Sequence, residues 1–262
     1  MSRSQRVPQT VPDRVPASAP RRVLERLRAA PEGPVPVVHR GPAAVYADLG
    51  GWCVGVLATG AVQVPNAVRT RLPHLGASAP VVHVAAGVLH LDGSPLVVGR
   101  VEDVAVRALG PDAARRLADV PVPAHDGWSE ALDLLATRAP HGIDPAAVAR
   151  LVGHGSGLTP LGDDLVAGFL ATSRALGTAT PDVDRAVRDH LSRTTLLSAT
   201  LLDCALHGEA LPELRAWLTT PGPAAAERTA ALLAVGHTSG AGLLAGARHA
   251  LTRTPTEGAH AA

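Results

Sequence analysis

Between Pro34 and Arg107 the chain is written in short valine-rich runs set about ten residues apart, with Gly, Pro and Asp between them. After Pro111 such runs cease, and Ala and Leu recur at helical spacing instead. VPVVH (Val35–His39), AAVYADL (Ala43–Leu49), WCVGVLA (Trp52–Ala58), VVHVAAGVLHL (Val81–Leu91) and PLVVG (Pro95–Gly99) each read as a strand. Gly50-Gly51 and Asp92-Gly93 fall between such runs and suit two-residue hairpin turns, whose central positions call for positive φ. Parallel pairing needs a long crossover, usually a helix, and no helical segment intervenes. The first half is therefore expected to be an antiparallel sheet or a small barrel.

The second half reads as helices over Asp112–Val120, Trp128–Arg138, Asp163–Leu176, Asp182–His207, Leu211–Thr219, Ala224–Val235 and Gly242–Leu251. Asp144-Pro145 is a further helix start, an N-cap acid followed by proline in the first turn. Strands first and helices second make an α+β chain. Residues 1–20, rich in Pro, Ser, Gln and Arg without apolar periodicity, are expected to be a disordered leader. The β-rich domain is expected over 21–120, opening on a short helix at Arg21–Ala30, and the helical domain over 121–262.

Aromatic residues make up only 2%, so Ala, Val and Leu must fill the core, and their smaller areas demand close packing of elements. All 24 basic residues are arginine, which excludes Schiff-base catalysis and a Walker-loop lysine. A net charge of +1 with acids and bases interspersed argues against a nucleic-acid partner. No run approaches the ~18 apolar residues of a membrane span, and no apolar signal segment opens the chain, so a cytoplasmic protein without membrane association is expected. Cys53 and Cys204 have no CxxC neighbour and read as buried small hydrophobes. The 12 histidines show no HxxH or HExxH spacing, so no zinc is expected. Magnesium stays open, and no nucleotide is expected.

Chemistry concentrates in Gly153–Gly168, GHGSGLTPLGDDLVAG. Gly153, Gly155 and Gly157 let backbone amides approach a ligand or take positive φ. Thr159-Pro160 reads as an N-cap and first helical residue, and amides freed at a helix start attract anions. Asp163 and Asp164 follow in the first turn, placed to orient an amine, hold magnesium or act as a base, with His154 beside them. Adjacent helix residues point about 100° apart, so one acid faces a ligand and the other bonds the loop backbone. The competing reading is a glycine elbow for close helix packing, with both aspartates as capping acids. The segment is not a dinucleotide fingerprint, since GxGxxG is not matched.

A second turn, GHTSGAGLLAG (Gly236–Gly246), aligns Gly240 with Gly162 and LLAG with LVAG. Its His237, Thr238, Ser239 and Gly240 are candidates to meet the same ligand as Gly155, Ser156, Gly157 and Thr159, so that two amide clusters serve a doubly anionic substrate. Glycines that let helices touch again compete with that reading. A third segment carries Thr194, Thr195 and Ser198, with Thr200, Asp203 and His207 on another face. Ser192–Thr195 has the residue types of the S-T-R-T phosphate loop of carbamoyltransferases, but in another order and in mid-helix, where hydroxyls usually bond back to carbonyls. Asn66 and Arg69 sit in a turn where an arginine can clamp a carboxylate, or simply face solvent.

GHGSGLTPLGDDLVAGFLA closely resembles the hallmark of the AllH-like family, G-x-G-x-G-L-T-P-S-G-D-D-x-L-x-G, and the likeness extends to Thr194–Ser198 and to GHTSGAGLLAG. The resemblance implies one subunit of an oxamate carbamoyltransferase, which converts oxalurate and phosphate to oxamate and carbamoyl phosphate in anaerobic allantoin breakdown. It implies two partner subunits as well, one akin to an acyl-CoA synthetase subunit. The matching positions are Gly153, Gly155, Gly157, Thr159, Asp163, Asp164, Thr238, Ser239 and Gly240. Two departures matter: Leu161 stands where the family usually has Ser, and Gly242 where it has Asp. Within that family the choices are a catalytic subunit, a non-catalytic scaffold subunit, or an enzyme of different chemistry on the same scaffold.

Overall fold

The computed structural model describes residues 14–75, 81–219 and 222–252. They divide into two compact units, one holding the strands and ending at Glu102, the other beginning at Asp103 and also taking in Gly51–Cys53 and Val62–Asn66. The α+β order expected from the sequence is the order observed, a curled mixed sheet followed by helices.

In chain order the first unit contains β1 (Val15–Pro20), α1 (Arg21–Ala29), β2 (Gly33–Pro34), β3 (Val37–Arg40), β4 (Ala44–Asp48), β5 (Cys53–Leu57), β6 (Ala67–Thr70), β7 (Val82–Ala85), β8 (Val88–Leu91) and β9 (Ser94–Glu102). They form one sheet in the order β2-β7-β8-β9-β1-β6-β5-β4-β3. Three expectations are corrected here. The leader expected to reach residue 20 falls outside the described residues up to position 13, but Val15–Pro20 is β1 in the middle of the sheet, with Val15 and Ala19 buried. Its alternating apolar residues are spaced by Pro and Ser, which hid the pattern. The sheet is also mixed, because β1 runs parallel to β9 and β5 parallel to β6. The β5–β6 crossover uses residues 58–66 without a helix, and buried Asn66 donates its side-chain amide to the Cys53 carbonyl at 3.0 Å. Finally, Val81–Leu91 is two strands, turned at Ala86 (φ +48°) and Gly87 (φ +71°). The Asp92-Gly93 turn is as expected, both residues at positive φ between β8 and β9.

The second unit contains α2 (Pro111–Ala118), α3 (Asp126–Arg138), α4 (Pro145–Leu151), α5 (Leu161–Ala175), α6 (Pro181–His190), α7 (Leu196–Leu206), α8 (Pro212–Thr219), α9 (Ala225–Leu233) and α10 (Ser239–Thr252). Asp144 caps α4 as expected, accepting from the Ala147 amide at 2.7 Å. The single helix expected over 182–207 is broken: after α6 a 3-10 turn covers Leu191–Arg193, Thr194 is extended (φ −123°, ψ −179°), and Thr195 caps α7 through the Ser198 amide at 3.1 Å. Hydroxyl side chains that compete for backbone groups open a helix here instead of riding inside one.

Every residue of α5 except Arg174 is buried, so α5 is the core helix of this unit. It lies against α10 closely enough for backbones to touch. A Cβ on Gly168 would meet the Leu243 carbonyl oxygen at 2.1 Å, and one on Gly246 would meet the Leu165 carbonyl oxygen at 1.9 Å. The contacts are reciprocal, each LxAG glycine resting on the first leucine of the other. Cys53 and Cys204 are buried thiols, as expected. Among the described residues no helix is long and apolar enough to cross a membrane.

Candidate functional site

Gly153–Pro160 forms the loop that leads into α5, and it is shaped from both ends. Gly153 takes φ +79° with its α-carbon pressed on the Arg193 carbonyl, where a Cβ would lie 2.4 Å from the oxygen. Only glycine meets both demands. Gly155, Ser156, Gly157 and Leu158 are exposed, and His154 and Thr159 are half-buried. Pro160 is the N-cap of α5 and Leu161 its first helical residue, one position later than the Thr159-Pro160 cap reading and two earlier than the expected span from Asp163. Thr159 is therefore not the cap. Its hydroxyl instead shares a 2.9 Å hydrogen bond with that of Ser239, the first residue of α10.

That bond brings the two glycine-rich turns together, and a third helix start joins them. Thr195, the cap of α7, donates its hydroxyl to the Leu158 carbonyl at 2.5 Å. Asp163 completes the junction. Its carboxylate accepts from the Gly153 amide at 2.7 Å, from the Ser198 hydroxyl at 2.6 Å and from the Thr194 hydroxyl. One side chain thus ties the loop, α5 and α7 together, and three of a carboxylate's roughly four lone-pair directions are taken. Burial pushes the Asp163 carboxyl up, the Ser198 and Thr194 hydroxyls and the Gly153 amide pull it back, and the balance stays above the ordinary range.

Asp164 points elsewhere, as adjacent helix positions must. It is 6% exposed, and its Oδ2 has no hydrogen-bond partner. Burial drives its carboxyl well above the ordinary value; the Ser239 hydroxyl opposes this and the Asp163 charge adds to it. The Asp164 carboxyl is thus biased towards its protonated form, in which it donates as well as accepts, while Asp163 is an acceptor held by three donors. Among the described residues no group of three or more His, Cys, Asp or Glu is placed to hold a metal ion.

Not every amide expected to face a ligand is open. The Gly240 amide donates to the Val235 carbonyl at 3.0 Å and the Gly162 amide to the His154 carbonyl at 2.9 Å, while those of Asp163 and Asp164 go to Pro160. The amides of Gly155, Ser156, Gly157, Thr238 and Ser239 find no acceptor among the described residues. His237 is exposed at the second turn. The face carrying Thr200, Asp203 and His207 is engaged apart from these groups: Thr200 accepts from the Cys53 amide at 2.9 Å, and Asp203 from Trp52 Nε1 at 3.2 Å. Arg69 lies within β6 and pairs with Glu102 at 3.2 Å.

Residues 151–251 match the AllH family model, described as oxamate carbamoyltransferase subunit AllH. The matched region spans α5, α7 and α10, the three helices whose starts meet at Asp163, Thr159 and Ser239. No curated protein and no solved structure matches the chain. The sequence reading did not assign Thr194 to the ligand site, though it clamps Asp163, and the Arg193 carbonyl beneath Gly153 carries no residue-type signal at all.

Proposed function

We propose that this protein binds a small anionic, amide-bearing substrate between the Gly153–Pro160 loop and the Gly236–Ser239 turn, as one subunit of an oxamate carbamoyltransferase-like enzyme. The observation that carries the reading is the Thr159–Ser239 hydrogen bond, which sets two glycine-rich helix starts side by side with unused amides around them. The family description of residues 151–251 supplies the reaction class. Oxalurate and phosphate would exchange a carbamoyl group, giving oxamate and carbamoyl phosphate. Amides of Gly155, Ser156, Gly157, Thr238 and Ser239 receive the anionic end, where helix dipoles favour negative charge. Asp164, its carboxyl biased towards protonation by burial and its Oδ2 unpartnered, would offer the donor–acceptor pair an amide edge requires. Asp163, with Thr195 and Ser198, holds the loop in place, and His154 and His237 flank it.

A second reading, a non-catalytic scaffold subunit, is favoured by one observation: Leu158 at the loop tip is 39% exposed, an apolar residue suited to a partner's surface. Calorimetry of the isolated protein against carbamoyl phosphate, oxamate and phosphate separates the two. Binding that Asp164→Asn weakens and that Gly155→Ala abolishes supports the substrate site. No binding alone, with turnover unaffected by these variants when partner subunits are added, supports the scaffold.

A further inference from the structure

A cavity of about 350 Å³ opens in the helical unit between the starts of α4 and α6, against α5 and α10. Its floor is apolar, made by Ile143, Phe169, Val183 and Ala250, all buried. Phe169 is the only phenylalanine of the chain. Pro145 and Pro181, each the first residue of its helix, form the rim together with exposed Ala179. Apolar walls with a few placed polar groups, at this volume, are the make-up of a small-molecule site.

The polar groups of the lining are acceptors. Ser173 is 2% exposed and spends its hydroxyl proton on the Phe169 carbonyl at 2.8 Å, so it has only lone pairs left to offer. Thr180 spends its own on Asp184 at 2.8 Å. Asp144 uses one carboxylate oxygen to accept from the Ala147 amide and keeps the other. Asp182 stands at the rim and shares one oxygen with exposed Arg185 at 3.0 Å. Of the described residues lining the cavity, none is an arginine or a histidine. The start of α6 would favour an anion through its dipole, but Asp182 lies in that first turn and already answers it.

We propose that this cavity binds a small ammonium ligand with an apolar body, its head on Asp144, Asp182 and Ser173 and its body on Phe169, Ile143 and Val183. An ammonium brings three donors and no acceptor, the complement of this lining. The face of an aromatic ring attracts the same charge. The substrates of the proposed reaction are anions, which two carboxylates repel. The cavity shares no residue with the Gly153–Pro160 loop or the Gly236–Ser239 turn, so it stands or falls independently of that reaction.

The test is a titration of the full chain with benzylamine, followed by amide chemical shifts in ¹H–¹⁵N spectra. Benzyl alcohol and benzoate, similar in shape and without the positive charge, are the controls. Benzylamine is expected to give saturable shifts centred on Ser173 and residues 178–183, benzyl alcohol weaker ones, and benzoate none there. Asp144→Asn, which keeps the helix cap, combined with Asp182→Asn weakens benzylamine about tenfold, as the loss of two partly exposed ion pairs requires. Ala179→Trp fills the mouth from an exposed position, where the fold does not depend on it, and removes binding. The proposal is overturned if benzylamine gives no saturable shift, or if either control moves the same amides as strongly. It is also overturned if benzylamine binds the aspartate pair variant or Ala179→Trp as well as the parent.

Discussion

The reciprocal glycine contacts between α5 and α10 make a quantitative prediction. Ordinary van der Waals contact of a Cβ begins at 3.4 Å, so Gly168→Ala, at 2.1 Å from the Leu243 oxygen, requires about 1.3 Å of retreat, and Gly246→Ala, at 1.9 Å from the Leu165 oxygen, about 1.5 Å. The obstacles are backbone oxygens of buried helices, so no side chain can swing aside and the helices must part. Overpacking of this kind costs about 1–3 kcal/mol where side chains can adjust, and the upper end or beyond is expected for each variant here. Both insertions demand the same movement, however. A pair already separated by the first alanine admits the second at little further cost. The double variant should therefore be destabilised much less than the two singles combined, with a coupling of about 1–3 kcal/mol, inside the range for residues sharing one backbone shift. Urea denaturation of the four proteins measures this. Additive losses would refute the reciprocal packing, and singles within about 0.5 kcal/mol of the parent, as at ordinary surface positions, would refute the contact itself.

Two further predictions concern the aspartates. With its carboxyl well above 3.8 in the native state, Asp164 keeps a proton that the unfolded chain gives up, so stability falls as pH rises from about 4 towards the native value. Asp164→Asn should flatten that slope and leave the protein more stable than the parent at the alkaline end, read from urea midpoints across pH; an unchanged slope counts against the buried neutral acid. Asp163→Asn leaves the Gly153 amide or the Ser198 and Thr194 hydroxyls short of an acceptor and should cost about 1–3 kcal/mol. The amides of residues 153–159 should then exchange hydrogen faster while those of β7 and β8 do not, and uniform acceleration would argue for a global effect instead.

The α+β order and the Asp92-Gly93 turn were legible because they rest on local signals, hydrophobic period and turn chemistry. What was not legible is where non-local contacts decide. The helix break at Thr194 carries no Pro or Gly to mark it in LSRTTLLS; there Thr194 reaches Asp163, 31 positions earlier in the chain. The Ala86-Gly87 turn was missed for another reason: alanine at positive φ carries little propensity signal, and the apolar residues on both sides of it continue without interruption. In the candidate site, the pairing of the two glycine-rich turns was readable from LVAG and LLAG. The division of labour between Asp163 and Asp164 was readable only as the rule that they diverge.

That division bears on the two positions where this chain departs from the AllH-like hallmark. A Cβ at Gly242 would lie 2.9 Å from Leu161 Cδ1 and 2.8 Å from Asp164 Cβ, so positions 161 and 242 meet each other beside the buried acid. Leu161 Cδ1 is one obstacle to a side chain at 242, and Asp164 Cβ and the Leu161 carbonyl oxygen, at 3.2 Å, are the others. Both positions therefore sit beside Asp164, whose carboxyl burial pushes up. Gly242→Ala alone should be destabilising by about 1–3 kcal/mol through overpacking. Adding Leu161→Ser removes the Cδ1 clash but leaves the Asp164 Cβ and Leu161 carbonyl contacts, and the lost burial of a leucine costs about 2–5 kcal/mol by itself. The cycle of the two should show a favourable coupling of at least about 0.5 kcal/mol in urea denaturation, the threshold for residues in contact. The double variant's stability should also fall less steeply with pH, because a hydroxyl beside Asp164 favours its ionised form. Strict additivity, or an unaltered pH slope, would mean that positions 161 and 242 act independently and that neither tunes the acid.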